Sequence, residues 1–174
     1  MQNYKKALSL FVIAITKTNQ IIAYGTAIIL LFFGGTMLYE AISRHFFNNP
    51  TIWAFEFSKM SFGLYMIWAG AYTLLRGEHV SMDIFYSKWS PRAKATIDSI
   101  TFIFFALSLL LLLYLVTSDA LNSISFKETS NSTLAQPLYQ WRASLVIGLL
   151  LLFLQGMAEF IKKLWFAIHN EALL

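Results

Sequence analysis

Polar and apolar residues alternate along this chain in long blocks rather than in the short periods of a soluble domain. Residues 21–39 are nineteen consecutive positions without a charge, near the ~20 apolar residues a helix needs to cross the hydrocarbon core of a bilayer. Glu40 and Arg44 follow, four apart and therefore on one helix face. Asn48-Asn49-Pro50 reads as a tight turn. A second block opens with Glu56 and Lys59 and runs through sixteen uncharged residues, 60–75. Between Asp98 and Asp119 lie twenty uncharged residues, of which 107–115 are almost all leucine. The last block sits between Arg142 and Glu159, and counting from 138 to 161 gives twenty-four residues, enough to cross. The pattern predicts an all-α integral membrane protein, one membrane domain over 1–174. Its four transmembrane helices are expected at 20–45, 51–75, 91–119 and 137–165.

Two shorter pieces are expected to be interfacial amphipathic helices. Lys5 and Lys6 precede an apolar run at 7–15, with Leu8, Phe11, Val12 and Ile15 to one side. The run is too short to span. A basic start with a short apolar core also fits a signal peptide, but no clean small-x-small cleavage site follows, so a retained surface helix over 1–18 is the expectation. The segment 76–90 mixes His79, Val80, Met82, Ile84 and Trp89 with Arg76, Asp83 and Lys88, a composition that suits a helix lying in the membrane surface. Ser90-Pro91 then starts the third span, with Ser as cap and Pro in the first turn.

Composition sharpens this picture. Only 13% of residues are charged while 57% are hydrophobic, against about 25% charge in a soluble domain. The basic residues are scattered between apolar blocks, so no nucleic-acid surface is expected. Cysteine is absent, which excludes disulfides and thiolate chemistry. With four spans, Lys5, Lys6, Lys17, Arg76, Lys88, Arg92, Lys94, Lys162 and Lys163 fall on one side, and Arg44, Lys59, Lys127 and Arg142 on the other. The positive-inside rule then places both termini in the cytoplasm.

Chemistry is sparse. His79 and Asp83 are four apart, but a metal site needs three or four ligands and no such cluster exists in the sequence. His45 and His79 follow spans instead of lying inside them, which argues against axial ligation of haem in a redox-enzyme anchor. No phosphate loop, nucleophile elbow or metalloprotease motif is present. No catalytic, cofactor-binding or metal-binding residue is assigned, and no cofactor or enzymatic activity is expected. The third and fourth spans hold no charge at mid-membrane, where an ion or solute pathway places its polar groups. Gly34-Gly35 permits close helix contact. Gly63 and Gly70, seven apart, serve either helix packing or contact with a partner subunit. A partner that braces a transporter, the anchor of a redox enzyme and an unrelated structural membrane protein are the three readings that remain.

Several motifs in order select among them. They are Glu40 with Arg44; Pro50, Trp53 and Glu56; Gly70-Ala71 leading to Leu75-Arg76-Gly77-Glu78-His79-Val80 and Asp83; and Gln136-Pro137-Leu138, Trp141, Gln155 and Gly156. In this order the chain resembles the small membrane subunit (DctQ-like, Q subunit) of TRAP, or tripartite ATP-independent periplasmic, transporters. Asn49 and Arg142 carry no part of the likeness. The resemblance implies a heterodimer with a large membrane subunit that carries an organic acid anion with sodium ions, such as sialic acid, another sugar acid or a C4-dicarboxylate. It also implies a multi-pass place in the bacterial inner membrane and a periplasmic solute-binding protein docking on that pair. Glu56, Lys59, Arg76, His79 and Asp83 are then expected in helix capping, lipid anchoring or contact with the large subunit, and the chain is of the unfused type.

Overall fold

The computed structural model describes residues 2–77, 89–132 and 134–173. Residues 78–88 of the expected interfacial segment, His79 and Asp83 among them, lie outside the described residues. Four helices account for nearly all of the rest: α1 (Gln2–Phe46), α2 (Ile52–Leu75), α3 (Pro91–Ser125) and α4 (Leu138–His169). No sheet forms among the described residues; a lone bridge joins Thr129 to Pro137.

The boundary expected between an N-terminal helix, 1–18, and a first span, 20–45, is absent. One helix of 45 residues covers both. Lys17, Thr18, Asn19 and Gln20 look like a polar break, yet none of them interrupts helical hydrogen bonding, and no Gly or Pro lies before Gly25. At 1.5 Å per residue α1 is about 67 Å long, roughly twice the hydrocarbon thickness. Its inward face repeats every seven residues. Val12, Asn19, Thr26, Phe33 and Glu40 form one row and Ile15, Ile22, Ile29, Thr36 and Ser43 the other, all buried or half-buried. Such a 3-4 repeat keeps one seam against its neighbours along the whole helix. The polarity is inverted relative to a soluble coiled coil, for Asn19, Thr26, Thr36, Glu40 and Ser43 are buried while Ile21, Tyr24, Ile28 and Leu31 are more than two-thirds exposed. A bilayer makes that arrangement favourable.

The turn after α1 forms at Asn48, whose φ of 52° is left-handed. Ser43 closes it, its carbonyl accepting from Asn49 N at 3.1 Å and its Oγ donating to Asn49 O at 2.6 Å. α2 returns antiparallel to α1, with Phe32 against Phe57, Phe33 against Phe62 and Tyr39 against Trp53. α3 starts as its sequence predicts, with Pro91 in the first turn and Ser90 Oγ accepting from Ala93 N at 3.3 Å. α4 packs against all three other helices and α3 packs chiefly on α4. α4 runs parallel to α2 and antiparallel to α1 and α3, as Gly70 beside Leu152 and Phe102 stacked on Phe160 show.

By length and composition three helices, not the expected four, qualify clearly as spans: α1 over Asn3–Phe46, α3 and α4. α2 has 24 residues, about 36 Å, so length is not its shortfall. Glu56, Lys59, two serines and a run of Trp, Tyr and Gly residues deny it the sustained stretch of high hydropathy that marks the other three. Its serines point inward: Ser58 and Ser61 are both buried.

Candidate functional site

The buried polar groups gather at both ends of the bundle and along one seam. At the α1–α2 end, Glu40 holds two elements together. Its Oε1 receives Arg44 Nη2 at 2.6 Å, and its Oε2 receives Thr51 N at 2.8 Å as well as the Thr51 hydroxyl. Thr51 caps α2, so this carboxylate also sits at the positive end of that helix. The sequence pairs Glu40 with Arg44 correctly but does not show that Glu40 caps the next helix.

The connection between α3 and α4 folds over the same end. Lys127 and Ala135 take left-handed φ angles of 47° and 44°. Leu138 N donates to Glu128 O at 2.9 Å, and Ser130 N to Gln136 O at 2.7 Å. Arg142 then fixes the fold from below, reaching Glu128 Oε1 at 2.8 Å and Asp119 Oδ2. Ser130 Oγ donates to Glu56 Oε1, tying the loop to α2. Glu56 and Lys59 lie one turn apart on α2, and the Glu56 Oε2 is buried with no hydrogen-bond partner among the described residues.

Between α2, α4 and this loop lies a groove of about 850 Å³. Arg44, Thr51, Ser130, Asn131, Ser132 and Arg142 surround its polar end, and Met60, Gly63, Leu64 and Leu145 line its apolar floor.

The seam between α1 and α4 was not anticipated. Asn19 Nδ2 donates to Gln155 Oε1 at 2.8 Å, and Gln155 Nε2 donates to Glu159 Oε1 at 3.1 Å. Lys162 pairs with the same Glu159 oxygen. Asn19 is 2% exposed and Gln155 0%. Just beyond, Val12 and Ala158 pack with Leu8, Ile15, Ile161 and Trp165. Here Lys163 meets Asp98 Oδ2 at 2.7 Å, and Arg92 Nε donates to Ala167 O at 3.1 Å.

Two glycines let α4 approach its neighbours. A Cβ on Gly148 would stand 2.4 Å from Ile67 Cγ2 and 2.6 Å from Trp68 Cδ1. One on Gly156 would stand 2.7 Å from Phe105 Cε1. Gly34, Gly35 and Gly63 have nothing within 4 Å of such a Cβ, so they bring no helix of this chain close. A Cβ on Gly70 would touch Leu152 Cδ1, at 4.0 Å.

Three buried hydroxyls bond back to their own helices: Thr26 to Ala23 O at 2.7 Å, Thr36 to Phe33 O at 2.9 Å and Ser99 to Ala95 O at 2.7 Å. Thr36 also meets Ser58 across the α1–α2 contact at 2.9 Å. Such groups join helices rather than line a path. Among the described residues no group of three or more His, Cys, Asp or Glu side chains converges on a metal-sized site. His45 lies edge-on to Phe46 and His169 stacks on Trp165, at opposite ends of the bundle. Of the residues expected in capping or contact roles, Glu56 and Lys59 sit together at the groove, Arg76 caps the C-terminus of α2, and His79 and Asp83 are outside the described residues.

No curated protein gives a significant match to the chain. A family model for the DctQ component of tripartite ATP-independent periplasmic transporters matches residues 33–165. That match runs from the middle of α1 to the last turns of α4, and takes in the Glu40 cap, the Arg142 network, Gln155 and both close-packed glycines. A multi-pass helical chain of inner-membrane type, built of helices braced on one another and matched over most of its length, belongs to the DctQ family of TRAP transporters as a non-catalytic accessory subunit of their membrane part.

Proposed function

We propose that this chain is the fixed, four-span brace of a sodium-gradient-driven TRAP transporter for an organic acid anion, sialic acid or another sugar acid, or a C4-dicarboxylate. It forms a heterodimer with the large membrane subunit, and a periplasmic solute-binding protein docks on the pair. Both termini lie in the cytoplasm. Family membership implies a larger TRAP partner. The observation that carries the bracing role is how the interior polar groups are used. Asn19, Gln155, Glu40, Arg142 and Glu56 each bond to a neighbouring helix or loop, which stiffens the bundle and leaves a wide apolar exterior for lipid and partner.

The four-span reading is supported by the setting of α2. It is long enough to cross and lies antiparallel to α1 and parallel to α4, with its serines turned inward.

Reconstitution tests the role. A tagged chain expressed with its large subunit should co-purify with it stoichiometrically. Liposomes holding both, supplied with the solute-binding protein, should accumulate the acid anion under an inward sodium gradient. Liposomes holding this chain alone should accumulate none, and uptake by the chain alone would overturn the proposal.

A further inference from the structure

The bracing role leaves the groove between α2 and α4 without an occupant. We propose that it holds one glycerophospholipid, with an acyl chain along the apolar floor and the phosphodiester at Lys59.

Size, position and charge argue for this. The volume of about 850 Å³ falls within the roughly 300–1,000 Å³ of sites that enclose a small molecule. The wall of α2 that forms it includes Ile52 and Phe55, 57% and 59% exposed, so the groove opens sideways onto the surface that the bilayer covers. Its floor is apolar, which suits a hydrocarbon chain. Lys59 lies seven residues beyond Ile52 on α2, about 10 Å along the helix. At that depth an exposed ammonium needs an anion or water beside it. Glu56, one turn away, attracts Lys59 but forms no ion pair with it and is engaged with Ser130 and Ser132. Arg44 and Arg142 hold Glu40, Asp119 and Glu128. A phosphodiester at the mouth answers Lys59, with Asn131 and Ser132 at the same end. Phosphatidylglycerol and phosphatidylethanolamine both supply that chemistry.

The test is native mass spectrometry of the full chain, alone and with its large subunit. The protein is delipidated, then offered phosphatidylglycerol, phosphatidylethanolamine or diacylglycerol. One phospholipid should be retained in both preparations, and diacylglycerol should not. Gly63→Leu places a side chain in the groove from a position where a Cβ meets nothing within 4 Å. It should abolish retention with the melting temperature unchanged. Gly34→Leu, equally open but outside the groove, should leave retention intact. Lys59→Gln should weaken retention of both phospholipids about tenfold, the loss of one charge-assisted bond. Equal retention of diacylglycerol, equal loss in the two glycine variants, or displacement of the lipid by the large subunit would each overturn the assignment.

Discussion

Gly148 and Gly34 are both glycines within apolar helix, yet they have opposite demands. Gly148 faces Ile67 and Trp68 at distances no Cβ tolerates. Trp68 cannot easily swing aside, because its Nε1 donates to Ser144 O at 3.0 Å on the same helix as Gly148. Gly148→Ala should therefore destabilise the protein by about 1–3 kcal/mol, the usual cost of overpacking. Gly34→Ala should be neutral or stabilising by about 0.5–1 kcal/mol, since alanine is the better helix former and the space is open. Thermal unfolding in one detergent, on both variants, compares them directly. The sequence alone points to Gly34-Gly35 because paired glycines resemble a packing motif. What separates the two sites is the side chain on the facing helix, and a single sequence does not say which helices face each other.

Along whole elements, more was legible. Ser90-Pro91 marks the start of α3 because a serine cap and a first-turn proline satisfy the same unpaired amides wherever they occur. The turn at 48–50 and the long uncharged blocks were equally readable, since both follow from local chemistry. The continuity of α1 was not, because Lys17-Thr18-Asn19-Gln20 carries the polarity of a membrane border and the backbone freedom of a helix. The seven-residue repeat that runs through Asn19 is the signal that was available, but its inverted polarity hides it from a search for apolar stripes. The Asn19–Gln155 pair gives the repeat an energetic meaning. Asn19→Leu leaves a fully buried Gln155 short of one partner, at a cost of about 1 kcal/mol. Adding Gln155→Leu should recover much of that, because an apolar pair no longer has an unmet bond. A double-mutant cycle of unfolding in mixed detergent micelles measures the coupling. Purely additive losses would show that the pair does not fix the register of α1 on α4.

At the scale of the molecule, α2 decides the topology. α1, α3 and α4 are clear spans, and three spans would put the two termini on opposite sides of the membrane. Four would put them on the same side. Polar residues interrupt the hydropathy of α2 where the other three helices keep a long apolar stretch, but those residues have a use. Ser58 meets Thr36, and Glu56 takes the α3–α4 loop, so they join α2 to the bundle without facing lipid. Lys59 lines the groove, whose polar end carries Asn131, Ser132 and Arg142, so its charge is not left facing lipid tails alone. A helix so arranged crosses at a modest cost, because polar groups inside a membrane protein are tolerated when they face protein. The distribution of cations agrees, with nine of thirteen Lys and Arg residues on the side of the termini once α2 is counted as a span. Fusions at the two ends test this by parity. Green fluorescent protein at either terminus should fluoresce, and alkaline phosphatase at either terminus should be inactive. Phosphatase inserted near Asn131, in the loop that α2 helps to hold, should be active. Opposite signals from the two termini would mean that α2 lies within one leaflet or on the surface. The loop at 126–137 and the Glu40–Thr51 cap could not then share one end of the bundle, because α1 and α3 run the same way and need a crossing between them to bring the chain back.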